Sequence, residues 1–174
     1  QGVAVERMRE NAERLARGKE VVEKMSARLG SAKALTVTTQ EVRDEIRPNG
    51  KPRTRTLTRE TALRRPDRVY LKTTGLDDQS GSGENEGWYD GVGLTFVMHG
   101  NKVFAQARMP ETLDKVFDSM HERYGVAAPV ADFLYSSPAK ALLTDATTGG
   151  WVAKEAVDGQ QADHLVFKDK GVSW

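Results

Sequence analysis

The 174 residues contain no cysteine, which removes disulfides, thiolate nucleophiles and every cysteine-based zinc or iron–sulfur site. No apolar run approaches the ~18 residues that a membrane-spanning helix needs. The start at Gln1 has neither an initiator Met nor a charged-then-apolar leader, so a mature or trimmed segment is expected. Charge of one sign is also missing: Lys+Arg 26 against Asp+Glu 25 leaves a net charge of +1, and no global field recruits nucleic acid or an anionic membrane. Aromatics are only 7%, so the core has to come mainly from aliphatic and methionine side chains. What is present, 38% hydrophobic and 29% charged residues, is a soluble globular composition, and the length suits a single domain over 1–174.

The periodicity changes twice along the chain. Val5, Met8, Ala12, Leu15, Val22, Met25 and Leu29 recur at helical spacing and predict a long N-terminal amphipathic helix, with a bend or break at Gly18 and a stop at Gly30. Alternation then takes over. Leu35, Val37 and Thr39 share one parity while Val42 and Ile46 take the other, which predicts a strand with a bulge near Gln40. Turn chemistry at 48–51, 65–67, 90–91 and 99–102 separates further strands, so the middle of the chain reads as an antiparallel meander interrupted by a Gly/Ser/Asp loop over 75–87. The helical period returns in Leu113, Val116, Phe117, Met120 and Tyr124, stopped by Gly125. A short helix holds Val130, Phe133 and Leu134, and Ser137-Pro138 is an N-cap and first-turn pair for another. Residues 147–157, a turn at Asp158-Gly159 and residues 164–167 return to strands, with Val172-Ser173-Trp174 opening one more. Helix, strands, helices and strands in that order predict an α+β fold rather than alternating βαβ units, which disfavours a Rossmann-type site.

Chemistry-bearing constellations are weak. His99, His121 and His164 lie in different elements with no metal-ligand spacing between them, so structural or exposed roles are expected. Asp163 and His164 alternate to opposite strand faces and cannot act as orienter and base. Asp78, Ser80, Ser82 and Gly83 match positions 1, 3, 5 and 6 of a calcium loop, but Tyr89 stands where a bidentate Glu is required, so no calcium is expected. Residues 43–72 carry ten Lys/Arg and four Asp/Glu, whereas 73–90 carry five acids and no base. Solvated faces and cross-strand pairing explain Arg53, Arg55, Arg59, Arg64 and Arg68 more simply than a nucleic-acid interface does. The apolar inventory says more. Leu94, Phe96 and Met98 share a strand face, and Leu113, Phe117 and Met120 a helix stripe; if the helix covers the sheet, the two sets face each other around either a solid core or a cavity. Phe133 and Leu134 would close one end. Of Trp88 and Tyr89 only one can face inward, and Trp88 is expected to, because its larger apolar surface gains more from burial.

Arg65-Pro66-Asp67-Arg68-Val69, Trp88-Tyr89-Asp90-Gly91 with Leu94-Thr95, Pro110-Glu111-Thr112-Leu113-Asp114, Arg123-Tyr124-Gly125, Ala131-Asp132-Phe133-Leu134-Tyr135 and Val157-Asp158-Gly159 followed by Asp163-His164-Leu165 together resemble a family of bacterial periplasmic proteins of unknown function, from about residue 20 to the end. That family is similar to the lipoprotein-localisation carriers, whose fold is an incomplete antiparallel barrel around a helical lid with a hydrophobic cavity between. The resemblance implies a curved antiparallel half-barrel sheet, with the N-terminal helix and the 110–144 helices on its concave face and the last C-terminal strands of the family lacking. It also implies a non-enzymatic periplasmic binding or carrier role for a lipid, acyl chain or lipoprotein. Trp88, Leu94, Phe96, Met98, Leu113, Phe117, Met120, Phe133 and Leu134 would be the ligand contacts, with no cofactor, metal or nucleic acid and peripheral contact with a membrane. The alternative is a periplasmic sensor or scaffold docking a protein partner. No lipobox cysteine supports a lipid anchor.

Overall fold

The computed structural model describes residues 2–47, 49–75, 83–125, 130–169 and 172–173. They fall into two units, Ala32–Ala128 and a second made of Gln1–Ser31 with Pro129–Trp174. The class is α+β with antiparallel sheets.

In the 32–128 unit, β1 (Ala34–Ile46), β2 (Pro52–Arg64), β3 (Arg68–Thr74), β4 (Asn85–Tyr89), β5 (Gly93–Met98) and β6 (Val103–Arg108) pair in chain order, each antiparallel to the next. β1 and β6 remain at the edges, so the sheet is an open one. The β1–β2 register runs unbroken from Ala34↔Arg64 to Ile46↔Pro52, and the expected bulge near Gln40 is absent. Its place is taken by charge. Glu41 and Glu45 follow Leu35 and Val37 on the same face and meet Arg59 at 2.5 Å, Arg53 at 3.2 Å and Arg55 at 3.3 Å, while Val42 and Ile46 stay on the other face, 63% and 72% exposed. The pairing expected for these three arginines is present, on the face that also carries the apolar residues. α2 (Leu113–Tyr124) ends as its sequence predicts, with Gly125 at φ 62° donating its N–H to the carbonyl of His121.

The β4–β5 turn is built by Asp90, whose carboxylate accepts the backbone N–H groups of Gly93 at 2.9 Å and Val92 at 3.1 Å. These two donors hold its carboxyl below the usual aspartate range. A depressed carboxyl contributes stability that is fully present above the unfolded value of about 3.9 and is lost as pH falls through the lower folded value. Asp90→Ala is therefore expected to have a lower urea midpoint than the parent protein at neutral pH. That gap should close as the pH is lowered past ~3.9 and on through the folded value. An equal gap at both ends of the titration would assign the effect to something other than this carboxylate.

In the other unit, α1 (Gly2–Ser31) is one helix, unbroken at Gly18 and ending one residue past Gly30. Both glycines are close-approach positions. A Cβ on Gly18 would lie 2.6 Å from Gly150 Cα, and one on Gly30 would lie 2.4 Å from the carbonyl oxygen of Ser136. The buried line is Gly18, Val22 and Ser26, whereas Val5 and Met8 of the expected stripe are 67% and 71% exposed. The reason is the reach of its partners: within this unit the bonds and close approaches of α1 run from Arg14 to Gly30. α3 (Pro138–Leu143) receives no side-chain cap from Ser137; Ser26 Oγ of α1 accepts the Ala139 N–H instead, at 2.9 Å. β7 (Thr148–Val157), β8 (Gln160–Asp169) and β9 (Val172–Ser173) form a separate three-stranded sheet, which corrects the expectation of one continuous sheet. The strand hydrogen bonds are satisfied locally by a hairpin whose turn residues Asp158 and Gly159 both have positive φ, as two-residue hairpin turns require.

Candidate functional site

Strand parity carries two distinct faces across β1–β6. One row of cross-strand neighbours is Leu35, Leu63, Val69, Tyr89, Leu94 and Ala107; the next is Val37, Thr61, Leu71, Gly87, Phe96 and Ala105; the third is Thr39, Arg59, Thr73, Asn85, Met98 and Val103. All three rows share a face, because each steps by two residues along its strands. That face grades from apolar at the first row to charged at the Glu41, Glu45, Arg53 and Arg55 end.

At the end of the first row lies an open groove of about 650 Å³ bordered by both parities of the strands, Leu35, Leu63, Val69 and Tyr89 from this face and Arg64, Arg68 and Tyr70 from the other. Tyr89 is 2% exposed, with a hydroxyl that donates to the carbonyl of Pro110. Burial, then the nearby Asp67 carboxylate, pushes that phenol up from its usual range. The Leu113 N–H donates to the Pro66 carbonyl at 2.9 Å and the Met109 N–H to that of Val92 at 3.0 Å, so the start of α2 is tied to the same end of the sheet. Arg68 Nη1 is buried and has no hydrogen-bond partner among the described residues. A guanidinium nitrogen in that state favours an anion, because an unmet charged donor is costly to bury.

The expected contacts separate into three groups. Leu94, Phe96 and Met98 do share the apolar face and are half-buried, with the Phe96 ring over Gly87, where a Cβ would stand 3.1 Å from it. On α2 the buried residues are Leu113, Val116 and Ser119, whereas Phe117 and Met120 are half-buried, so the helix turns a slightly different side inward than the sequence stripe suggests. Phe133, 38% exposed, and Leu134, buried, belong to the other unit. The inward choice is reversed: Tyr89 is buried, and Trp88 is 40% exposed on the opposite face. Cross-strand pairing decides this, since Tyr89 lies between Val69 and Leu94 whereas Trp88 lies between Tyr70 and Thr95. None of the nine expected residues lines the groove; Leu35, Leu63 and Val69, missed from the sequence, do. The signal for them was the register to Leu94, which becomes visible once Tyr89 is set opposite Val69.

The remaining expectations also have places. Asp163 Oδ1 accepts the Trp151 indole N–H at 2.8 Å, and His164 Nδ1 is 2.8 Å from Glu155 Oε1, so this adjacent pair is not joined into a base and orienter. Asp78, Ser80 and Ser82 lie outside the described residues. A smaller space of about 500 Å³ in the other unit is lined by Leu15 of α1 with Val152, Val166 and Lys168.

Residues 18–174 match the model of a family described as "Predicted periplasmic protein (DUF2092)". No curated protein matches, and no solved structure does.

Proposed function

The chain belongs to the DUF2092 family of predicted periplasmic proteins, and from that premise we propose that it binds a hydrophobic ligand, a lipid, an acyl chain or the lipid part of a lipoprotein, without chemistry on it. Among the described residues, no helix is long and apolar enough to cross a membrane. The observation that carries the reading is the groove on the open sheet. An acyl chain lies along the apolar residues of the groove, each buried methylene contributing about 0.8 kcal/mol, and an anionic head group meets the guanidinium groups of Arg64 and Arg68 at its border. A carrier of this kind resembles the lipoprotein-localisation half-barrels in using an apolar sheet face rather than a catalytic constellation.

The test is organic extraction of the protein purified from the periplasm, followed by mass spectrometry of the extract, together with titration of the delipidated protein with an anthroyloxy-labelled fatty acid. Val69→Asp should lower affinity at least about tenfold, since a charged group replaces several buried methylenes. Arg68→Met should weaken the acid more than its methyl ester. Phe96→Ala, at a half-buried position outside the groove, should cost less than the ~3–5 kcal/mol of a fully buried phenylalanine and leave the preferred chain length unchanged. Absence of lipid from repeated extracts, with no saturable probe binding, would overturn the proposal.

A second reading, docking of a protein partner, draws on the face of Trp88. There Tyr70, Trp88 and Phe104 are 36%, 40% and 69% exposed. Binding of the fatty acid that is unchanged by Val69→Asp would favour it.

A further inference from the structure

We propose that Glu84, Glu86 and His99 form a binding site for a divalent transition-metal ion of the zinc type, on the sheet face that carries Tyr70 and Trp88. Parity puts them together. Glu84, Glu86 and Trp88 alternate on one side of β4 and its approach, Glu86 pairs with Val97 of β5, and His99 follows two residues later on the same side. The His99 backbone N–H donates to the Glu84 carbonyl at 3.2 Å, which fixes the two chain segments side by side. One oxygen of each carboxylate and a ring nitrogen of His99 all lie within 4.8 Å of one another.

The orientation of the carboxylates is the second observation. Glu86 turns Oε2 to His99 Nε2 at 2.8 Å, while its Oε1 accepts the Tyr70 hydroxyl at 2.5 Å. Glu84 turns Oε1 toward the same nitrogen at 4.0 Å, while its Oε2 is held by Lys72 Nζ at 2.9 Å. Each carboxylate is therefore gripped from outside by a β3 side chain and leaves its inner oxygen facing the imidazole. Outer donors of this kind orient metal-binding carboxylates and imidazoles.

The donor set selects the ion. Calcium and magnesium take oxygen-only shells, whereas one imidazole nitrogen with two carboxylates suits zinc and its neighbours and leaves a fourth position open. Tetrahedral bonds of about 2.0–2.2 Å space ligand atoms about 3.3–3.6 Å apart. The observed 2.8 Å and 4.0 Å from Nε2 bracket that spacing, and the three ligand atoms lie within 4.8 Å of one another. A plain cross-strand pair between Glu86 and His99 accounts for the shorter of these distances. It leaves the inward turn of Glu84 unexplained.

Isothermal titration of the metal-free full chain with zinc chloride, backed by competition against a chromophoric chelator, tests the site. One equivalent should bind. Glu86→Gln and His99→Ala should each lower the affinity at least about a hundredfold, and Tyr70→Phe about tenfold, in the range found for lost outer-shell partners. His164→Ala, which removes the other carboxylate-paired histidine, should leave binding unchanged. X-ray absorption on the zinc complex of the parent protein should show one nitrogen and two carboxylate oxygens from the chain, a readout independent of how the variants fold. No stoichiometric binding below about 0.1 mM, binding that survives both Glu86→Gln and His99→Ala, or a shell without imidazole would each overturn the assignment.

Discussion

Gly18→Val is expected to separate α1 from β7 and to lower the unfolding free energy of its unit by at least the ~1–3 kcal/mol typical of an overpacked core. The valine Cβ would stand 2.6 Å from Gly150 Cα and 2.8 Å from both Gly150 C and Trp151 N. These are backbone atoms, so no rotamer change relieves the clash. Gly150 has the matching constraint, at φ 127°, where a Cβ would lie 2.1 Å from the carbonyl oxygen of Arg14. The close approach also sets up the surrounding bonds: Arg14 Nε donates to the Trp151 carbonyl at 3.0 Å, and the Arg17 guanidinium sits 3.5 Å above the Trp151 ring. The informative companion is Gly18→Ala. At a free helix position alanine gains about 1 kcal/mol over glycine, so a stabilised Gly18→Ala protein in urea titration would show that the two backbones do not meet.

Tyr89→Ala is expected to cost about 3–5 kcal/mol, the range for removing a fully buried aromatic ring. Tyr89→Phe should cost only about 1 kcal/mol, the net worth of one hydrogen bond, here that to Pro110. Trp88→Ala, one residue away and on the exposed face, should stay within about 0.5–1 kcal/mol despite deleting the larger ring. Denaturant midpoints with a common slope measure all three. If the order of Tyr89→Ala and Trp88→Ala came out reversed, the face assignment of β4 and the groove built on it would both fail.

Much of the architecture was legible in local signals. Gly125 ends α2, Asp158-Gly159 closes a hairpin, and Leu94, Phe96 and Met98 alternate onto one face, because each depends on residues close together in the chain. The failures share a cause in partners far along the sequence. Gly18 reads as a helix breaker until Gly150 is known to lie against it. Val42 and Ile46 suggest a bulge until Glu41 and Glu45 are seen to be neutralised on the inner face by arginines of β2. Surface area favoured Trp88 over Tyr89, yet the register to Val69 and Leu94 outweighed area. Histidine spacing likewise gave no hint of Glu84, Glu86 and His99, since strand pairing and not a local motif brings them within reach.

The discontinuous make-up of one unit imposes an order of assembly. The 32–128 unit is a contiguous stretch whose strands pair only with their chain neighbours, so each new hairpin closes a short loop as soon as it is made. α1 is in the opposite situation: Arg14 must find Trp151, 137 positions later. The meander can therefore complete itself while the helix waits undocked, its glycine-lined side bare until the β7–β8 hairpin of its own unit arrives. For that interval the helix surface around Gly18 belongs to no fold at all, and only the distant backbone of Gly150 is shaped to cover it.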